Sequence, residues 1–203
     1  MPDTKISALS TGTPASTSLF AAVINSTTMG VRGSDLVLNA MTAGSLLLGA
    51  GGVASSLAIG SSGYLLQSTG GTAAWKSPVR YVAVQVVPST VTLTVADGLA
   101  QLPMPPELAG YNLSFVHAMV NSTSTESTSM LFMIHNLTAA ADVLSSGVVI
   151  DGGEKASNTA SSAYLIDTTE DDVTAYDVYR FDADVVGSSA AKGLVMTLGF
   201  SLP

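Results

Sequence analysis

Short apolar clusters alternate with small polar residues across residues 36–75, forty positions without one charged side chain. Leu46-Leu47-Leu48, Leu57-Ala58-Ile59 and Tyr64-Leu65-Leu66 are separated by Gly, Ser and Thr. No run approaches the roughly 20 apolar residues that a membrane-spanning helix needs. The glycines break helices and punctuate short extended pieces. LLLGAGGVASSL and YLLQSTGGTAAW form a weak two-copy repeat, each ending a Gly-Gly turn on a large apolar residue. Gly51-Gly52 and Gly70-Gly71 predict tight turns. Trp75, the single tryptophan, is expected to plug the end of this layer against the next domain or a neighbouring chain. Strands this short cannot bury an apolar face alone, and nothing charged keeps that face in water. The pattern therefore predicts an intertwined homo-oligomer.

The flanking regions have different patterns. Residues 1–34 hold one clear apolar cluster, LFAAVI at 19–24. Ser16 or Thr17 would cap a short helix there, while the β-branched Val23 and Ile24 equally allow a strand. Ser77-Pro78 marks a boundary. Beyond it, 81–87 (YVAVQVV) and 90–95 (TVTLTV) are rich in β-branched residues. Pro103, Pro105 and Pro106 forbid regular pairing in a loop. Segments 112–120, 130–135, 147–150, 163–166, 177–184 and 193–202 complete about eight predicted strands. No stretch of twelve residues carries a helical period. The expected fold is all-β: a jelly-roll-like β-sandwich over 79–203, preceded by the extended Gly/Ser-rich segment 35–78 and an N-terminal segment 1–34.

Composition sharpens this picture. Only 11% of the 203 residues are charged, against about 25% in typical globular chains, so much surface is expected to lie in contacts between chains. Residues 1–80 carry a net +2 and residues 81–203 a net −10. The acidic part repels polyanions, and no basic patch with interleaved aromatics exists, so nucleic-acid binding is not expected. The chain has no cysteine, hence no disulfide, thiolate nucleophile or cysteine metal site. MPDTKISALSTGTPAST lacks the apolar core of a signal peptide, and no membrane insertion is expected.

Candidate chemistry is sparse. His117 and His135 sit in predicted strands, where they would either meet across a strand pair as base or metal ligands or serve as structural residues. Asp167, Glu170, Asp171 and Asp172, with Asp177, Asp182 and Asp184 downstream, would either offer oxygen ligands to calcium or build turns through Asp–backbone hydrogen bonds. Arg180 is placed to pair with Asp182, Asp172 or a carboxylate of another chain. Tyr176, Tyr179 and Phe181 alternate imperfectly and read as core or as a sugar platform. No nucleophile elbow, phosphate loop or zinc-protease pattern is present. The chain is therefore expected to be no enzyme and to need no cofactor.

LLLGAGGVASSLAIGSSGYLLQSTGGTAAWKS resembles a module of bacteriophage fibre and virion-surface proteins, with its Leu-Gly turn, Gly-x-Leu-Leu, Gly-Thr pair and Trp. TKISALSTGTPASTSLFAAV resembles the N-terminal segment of phage tail-fibre proteins. The run from Ile150 to Phe200 resembles a β-sandwich domain of phage structural proteins. The resemblance implies a homotrimer at the virion surface, assembled in the host cytoplasm and partnered with other virion proteins of capsid or tail. Its trimer interface would be Leu46, Leu47, Leu48, Leu57, Ile59, Tyr64, Leu65, Leu66 and Trp75. Particle attachment would fall to Leu19, Phe20, Val23 and Ile24, and a host-surface glycan is a further candidate partner. A short fibre is the first expectation and a capsid decoration or cement protein the second. A jelly-roll lectin or glycan hydrolase is the rival from another class.

Overall fold

The computed structural model describes residues 19–24, 27–32, 45–50, 53–68, 70, 72–123, 128–187 and 191–203, with side chains of the first two strands and of residues 47–50 and 53–55 outside that description. The chain divides into two units, Met1–Lys76 and Ser77–Pro203. Apart from two three-residue 3₁₀ turns, Pro106–Leu108 and Ser157–Thr159, the regular structure of the described residues is β.

The described residues of the first unit form three antiparallel hairpins. β1 (Leu19–Ile24) pairs with β2 (Thr27–Arg32), so the open choice between helix and strand at 19–24 resolves as strand. β3 (Leu46–Ala50) pairs with β4 (Val53–Leu57), and β5 (Leu65–Ser68) with β6 (Ala73–Lys76). The expected turn pair Gly51-Gly52, and Gly71, lie outside the described residues. Gly70 has φ +65°, the left-handed conformation that suits glycine.

The second unit is built on two main sheets. In one, β7 (Arg80–Thr92) and β9 (Asn112–Met119) flank the central β16 (Lys192–Ser201). In the other, β8 (Ala96–Pro103) pairs with β15 (Val178–Val185), which pairs with β10 (Met130–Asn136). The far edge of β10 takes β13 (Val148–Ile150) at one end and β11 (Ala141–Asp142) at the other. A small pair, β12 (Leu144–Ser146) with β14 (Leu165–Ile166), completes the unit. β7 to β10 alternate between the two sheets in sequence, and β11, β13 and β15 then stay in the second sheet before β16 returns to the first, an arrangement consistent with a β-sandwich. Along the outer edge of β9 the described residues make isolated bridges at its two ends, Asn112↔Asp172 and Met119↔Ala156.

Alternation along each strand makes one core from both sheets. Leu194, Met196, Leu198 and Phe200 of β16 are buried with Phe132 and Ile134 of β10 and Phe181 of β15. The Leu202 N–H donates to Ser77 Oγ at 2.6 Å, tying the two ends of the unit together. At one end of the core, the buried Asp177 accepts from Asn136 Nδ2 (3.1 Å) and from the Thr174 N–H (2.8 Å). Tyr179 is fully buried nearby, and its hydroxyl has no hydrogen-bond partner among the described residues. Burial, and then the carboxylates of Asp177, Asp171 and Asp172, push that phenol far above its ordinary range.

The segments 81–87 and 90–95 form no separate strands. β7 runs on through Pro88 to Thr92, which its position at a sheet edge permits. β8 was not expected from the sequence, since ADGLAQLP has no β-branched residue.

Two substitutions separate packing from polarity in this core. Phe132→Ala is expected to lower unfolding stability by about 3–5 kcal/mol in urea titration. Tyr179→Phe is expected to leave the urea midpoint unchanged or raise it, because it removes an unsatisfied buried hydroxyl.

Candidate functional surfaces

The hairpins of the first unit expose their apolar residues. Ile59 is 67% exposed, Leu65 61%, Leu66 43% and Leu46 41%. Leu57 and Tyr64 are half-buried. Leu65 and Leu66 are adjacent in a strand and so point to opposite faces, yet both meet solvent. The β5–β6 hairpin therefore has two apolar faces and covers neither. Leu47 and Leu48 stand opposite Ser56 and Ser55 in register, and their side chains lie outside the described residues. The same holds for Leu19, Phe20, Val23 and Ile24, which stand opposite Arg32, Val31, Thr28 and Thr27.

Trp75 packs within its own unit. Its ring lies on the backbone of Gly60, where an added Cβ would come within 2.5 Å of the indole. Its Nε1 donates to the Ala58 carbonyl at 2.8 Å. This joins β6 to the segment after β4 and leaves the neighbouring leucines uncovered.

The outer faces of the two large sheets differ in chemistry. On the β8–β15–β10 sheet, Arg180 holds Asp182 bidentately, with Nε to Oδ1 at 2.8 Å and the terminal nitrogen to Oδ2 at 2.7 Å. Asp182 Oδ1 also accepts the Gly98 N–H at 2.7 Å, and Asp97 lies 3.8 Å from Arg180. His135 Nδ1 meets Asp142 Oδ1 at 2.7 Å. Partial burial, and then the charges of Asp182, Asp97 and Asp142, hold the Asp184 carboxyl above its ordinary range. This is an acidic face organised around one guanidinium.

The β7–β16–β9 sheet presents aromatic side chains instead. Register places Tyr81 and Phe115 on either side of Gly199. An added Cβ at Gly199 would lie 2.9 Å from Phe115 Cβ and 3.0 Å from Tyr81 Cε1, so the missing side chain lets the two rings close over the central strand. They meet edge-to-face at 6.0 Å, and His117 stacks on Phe115 at 6.4 Å and 13°. Tyr81 is 64% exposed. Beside Phe115, at the free edge of β9, opens a cleft of about 290 Å³ floored by Val116 and Val148 and walled by Ser157, Asn158 and Tyr164.

The candidate residues read from the sequence distribute differently from expectation. His117 and His135 do not meet, because β9 and β10 belong to different sheets. Tyr179 and Phe181 are core, while Tyr176 is exposed at φ +68°. In the acidic stretch no three His, Asp or Glu side chains among the described residues group as metal ligands. Asp167 Oδ1 instead accepts the Thr169 hydroxyl (2.7 Å) and N–H (3.0 Å), and these bonds, the hydroxyl's first, hold its carboxyl below the ordinary pKa range. Of the three partners open to Arg180, Asp182 is the one it takes. The aromatic surface at Tyr81 and Phe115 was not foreseen, and its only signal in the sequence is the alternation of YVAVQVV and NLSFVHAM. No family model, curated protein or solved structure matches this chain.

Asp184 and Asp167 predict opposite pH effects. A raised folded-state value makes ionised Asp184 unfavourable, so Asp184→Asn is expected to stabilise at pH 7, the gain fading as pH falls through the raised folded value and gone below the ordinary value of 3.8. The lowered value of Asp167 means its contribution is present above 3.8 and lost as pH falls through the folded value. Asp167→Ala is expected to destabilise at pH 7 and to match the parent in strong acid, read from urea midpoints across the pH range. Gly60→Ala is expected to shift the fluorescence of Trp75 to longer wavelength as the indole is displaced into water.

Proposed function

We propose that this chain is a structural protein of a bacteriophage particle, a short fibre-like homotrimer assembled through its first unit. In this reading the first unit attaches to the virion and the β-sandwich is the part presented at the particle surface. The observation that carries the proposal is the uncovered apolar surface of Leu46, Leu65 and Leu66, on hairpins of four or five residues per strand, and of Ile59 just after β4. Isolated two-stranded hairpins are marginal in water. Burying one Leu or Ile fully is worth roughly 1.5–3 kcal/mol, so four per chain add an amount comparable with the whole stability of a small domain. Sister chains supply that cover symmetrically. The phage-fibre resemblance of residues 45–77 gives this assembly its biological setting.

The acidic β8–β15–β10 face fits a surface that keeps particles apart in solution and repels polyanions. The described residues show no convergent nucleophile, base and oxyanion donors, and the pair His135–Asp142 stands on the open acidic face. A structural role accounts for these features without catalysis. A second reading, a decoration protein clamped on capsid subunits, is favoured by the shortness of the hairpins, which supply no long shaft. No helix among the described residues is long and apolar enough to cross a membrane.

Sedimentation of the full chain is expected to give a trimer, three times the 20.5 kDa of one chain. The double substitution Ile59→Asp and Leu65→Asp is expected to shift it to monomer while the urea midpoint of the sandwich stays unchanged. A parent chain that stays monomeric at every concentration would refute the assembly. Cryo-EM of the particle would separate fibre from decoration by position.

A further inference from the structure

We infer that the cleft at the free edge of β9 is a binding site for a neutral saccharide, with Phe115 as its apolar rim and Ser157, Asn158 and Tyr164 as its polar wall. Along the middle of that edge, between its two end bridges, the outward N–H groups of β9 find side-chain acceptors. The Val116 N–H donates to Tyr164 Oη at 3.1 Å, and the Ala118 N–H donates to Ser157 Oγ at 3.0 Å.

These two bonds fix the hydroxyls and leave their hydrogens free. Each oxygen accepts a backbone proton, and among the described residues no acceptor engages the hydroxyl's own hydrogen. The sheet edge thus holds two O–H donors in place at the mouth of an apolar-floored cleft. Ser157 is positioned further by the 3₁₀ turn Ser157–Thr159 and by the bridge Met119↔Ala156 immediately before it. Donors held in place before binding lose little entropy on binding.

The ligand class follows from three features of the cleft. First, it pairs ring faces with hydroxyl and amide groups. A pyranose has the matching character, with an apolar C–H face and a polar rim, and aromatic side chains carry just such amphipathic contacts. Second, no Asp, Glu, Lys or Arg lines the cleft. A charged ligand would find no counter-ion there, and an anionic one would meet the −10 of residues 81–203. Third, a volume of about 290 Å³ lies at the low end of small-ligand sites, roughly 300–1,000 Å³. One or two sugar rings fit that space, with Tyr81 and His117 extending the platform beside Phe115.

This inference rests on the surface-exposed role proposed above for its biological meaning, and its binding chemistry is tested without the particle. Saturation-transfer NMR of the full chain with millimolar lactose, maltose and N,N′-diacetylchitobiose is expected to show transfer to ring C–H protons of at least one sugar. Phe115→Ala and Tyr164→Phe are each expected to weaken that sugar about tenfold, equivalent to about 1.4 kcal/mol. Asp184→Asn, on the opposite face, is expected to leave it unchanged. The exposed position of Phe115 makes its variant informative even where Tyr164→Phe perturbs the loop. No transfer from any of the three sugars, equal binding by both cleft variants, or transfer to anionic sialyllactose alone would each overturn the assignment. Sedimentation of the same samples keeps the two proposals apart: a trimer without sugar binding sinks only the cleft, and a sugar-binding monomer sinks only the assembly.

Discussion

The contact between the inward side chains of β16 and those of β10 and β15 is the constraint on which the second unit depends. β16 is the only strand of its sheet with two neighbours, so β7 and β9 are joined through it alone. Its Leu194, Met196, Leu198 and Phe200 are also the part of that sheet that faces Phe132, Ile134 and Phe181. Once those residues point inward, the pleat sends Val195, Thr197 and Gly199 outward. The aromatic surface is a consequence: Tyr81 and Phe115 occupy outward positions opposite Gly199 because Val82 and Val116 occupy inward ones.

The same alternation separates two chemistries on two sides of one domain. The outward residues of β15 and its neighbours are carboxylates gathered around Arg180. Those of β7, β16 and β9 are rings, small residues and aliphatics. Charge repulsion acts on one side and dispersion contact on the other. The first unit shows no such division. Its β5 strand has Leu on both faces, which fits a segment covered from more than one direction.

Much of the β architecture was legible in the sequence because β-branched and aromatic runs coincide with strands. NLSFVHAM, MLFMIH and GLVMTLGFSL all became strands within a residue or two of expectation. β8 escaped because Ala, Gly, Gln and Pro give no local signal; its pairing with β15, Leu102 opposite Tyr179, is a tertiary fact. The interruption expected at Pro88 failed for the same kind of reason, since a sheet edge has no ladder bond to lose there. The cleft was less legible still. Phe115, Val148 and Tyr164 are far apart in sequence, and they converge only through tertiary pairing, including the bond from the Val116 N–H to Tyr164 Oη. Trp75 on Gly60 is similar: the glycine was visible as a breaker, but its role as a seat for the indole depends on the packing of the segment after β4.

The placement of β16 also bears on how the molecule is made. It follows β7 and β9 in sequence by many residues, yet it sits between them in their sheet. During synthesis β7 and β9 emerge with no partner between them, and their unpaired backbones are the kind of edge that invites aggregation. Such long-range pairing is slow to form. Until β16 is made, the hydrophobic interior therefore lacks the strand that joins one of its two walls.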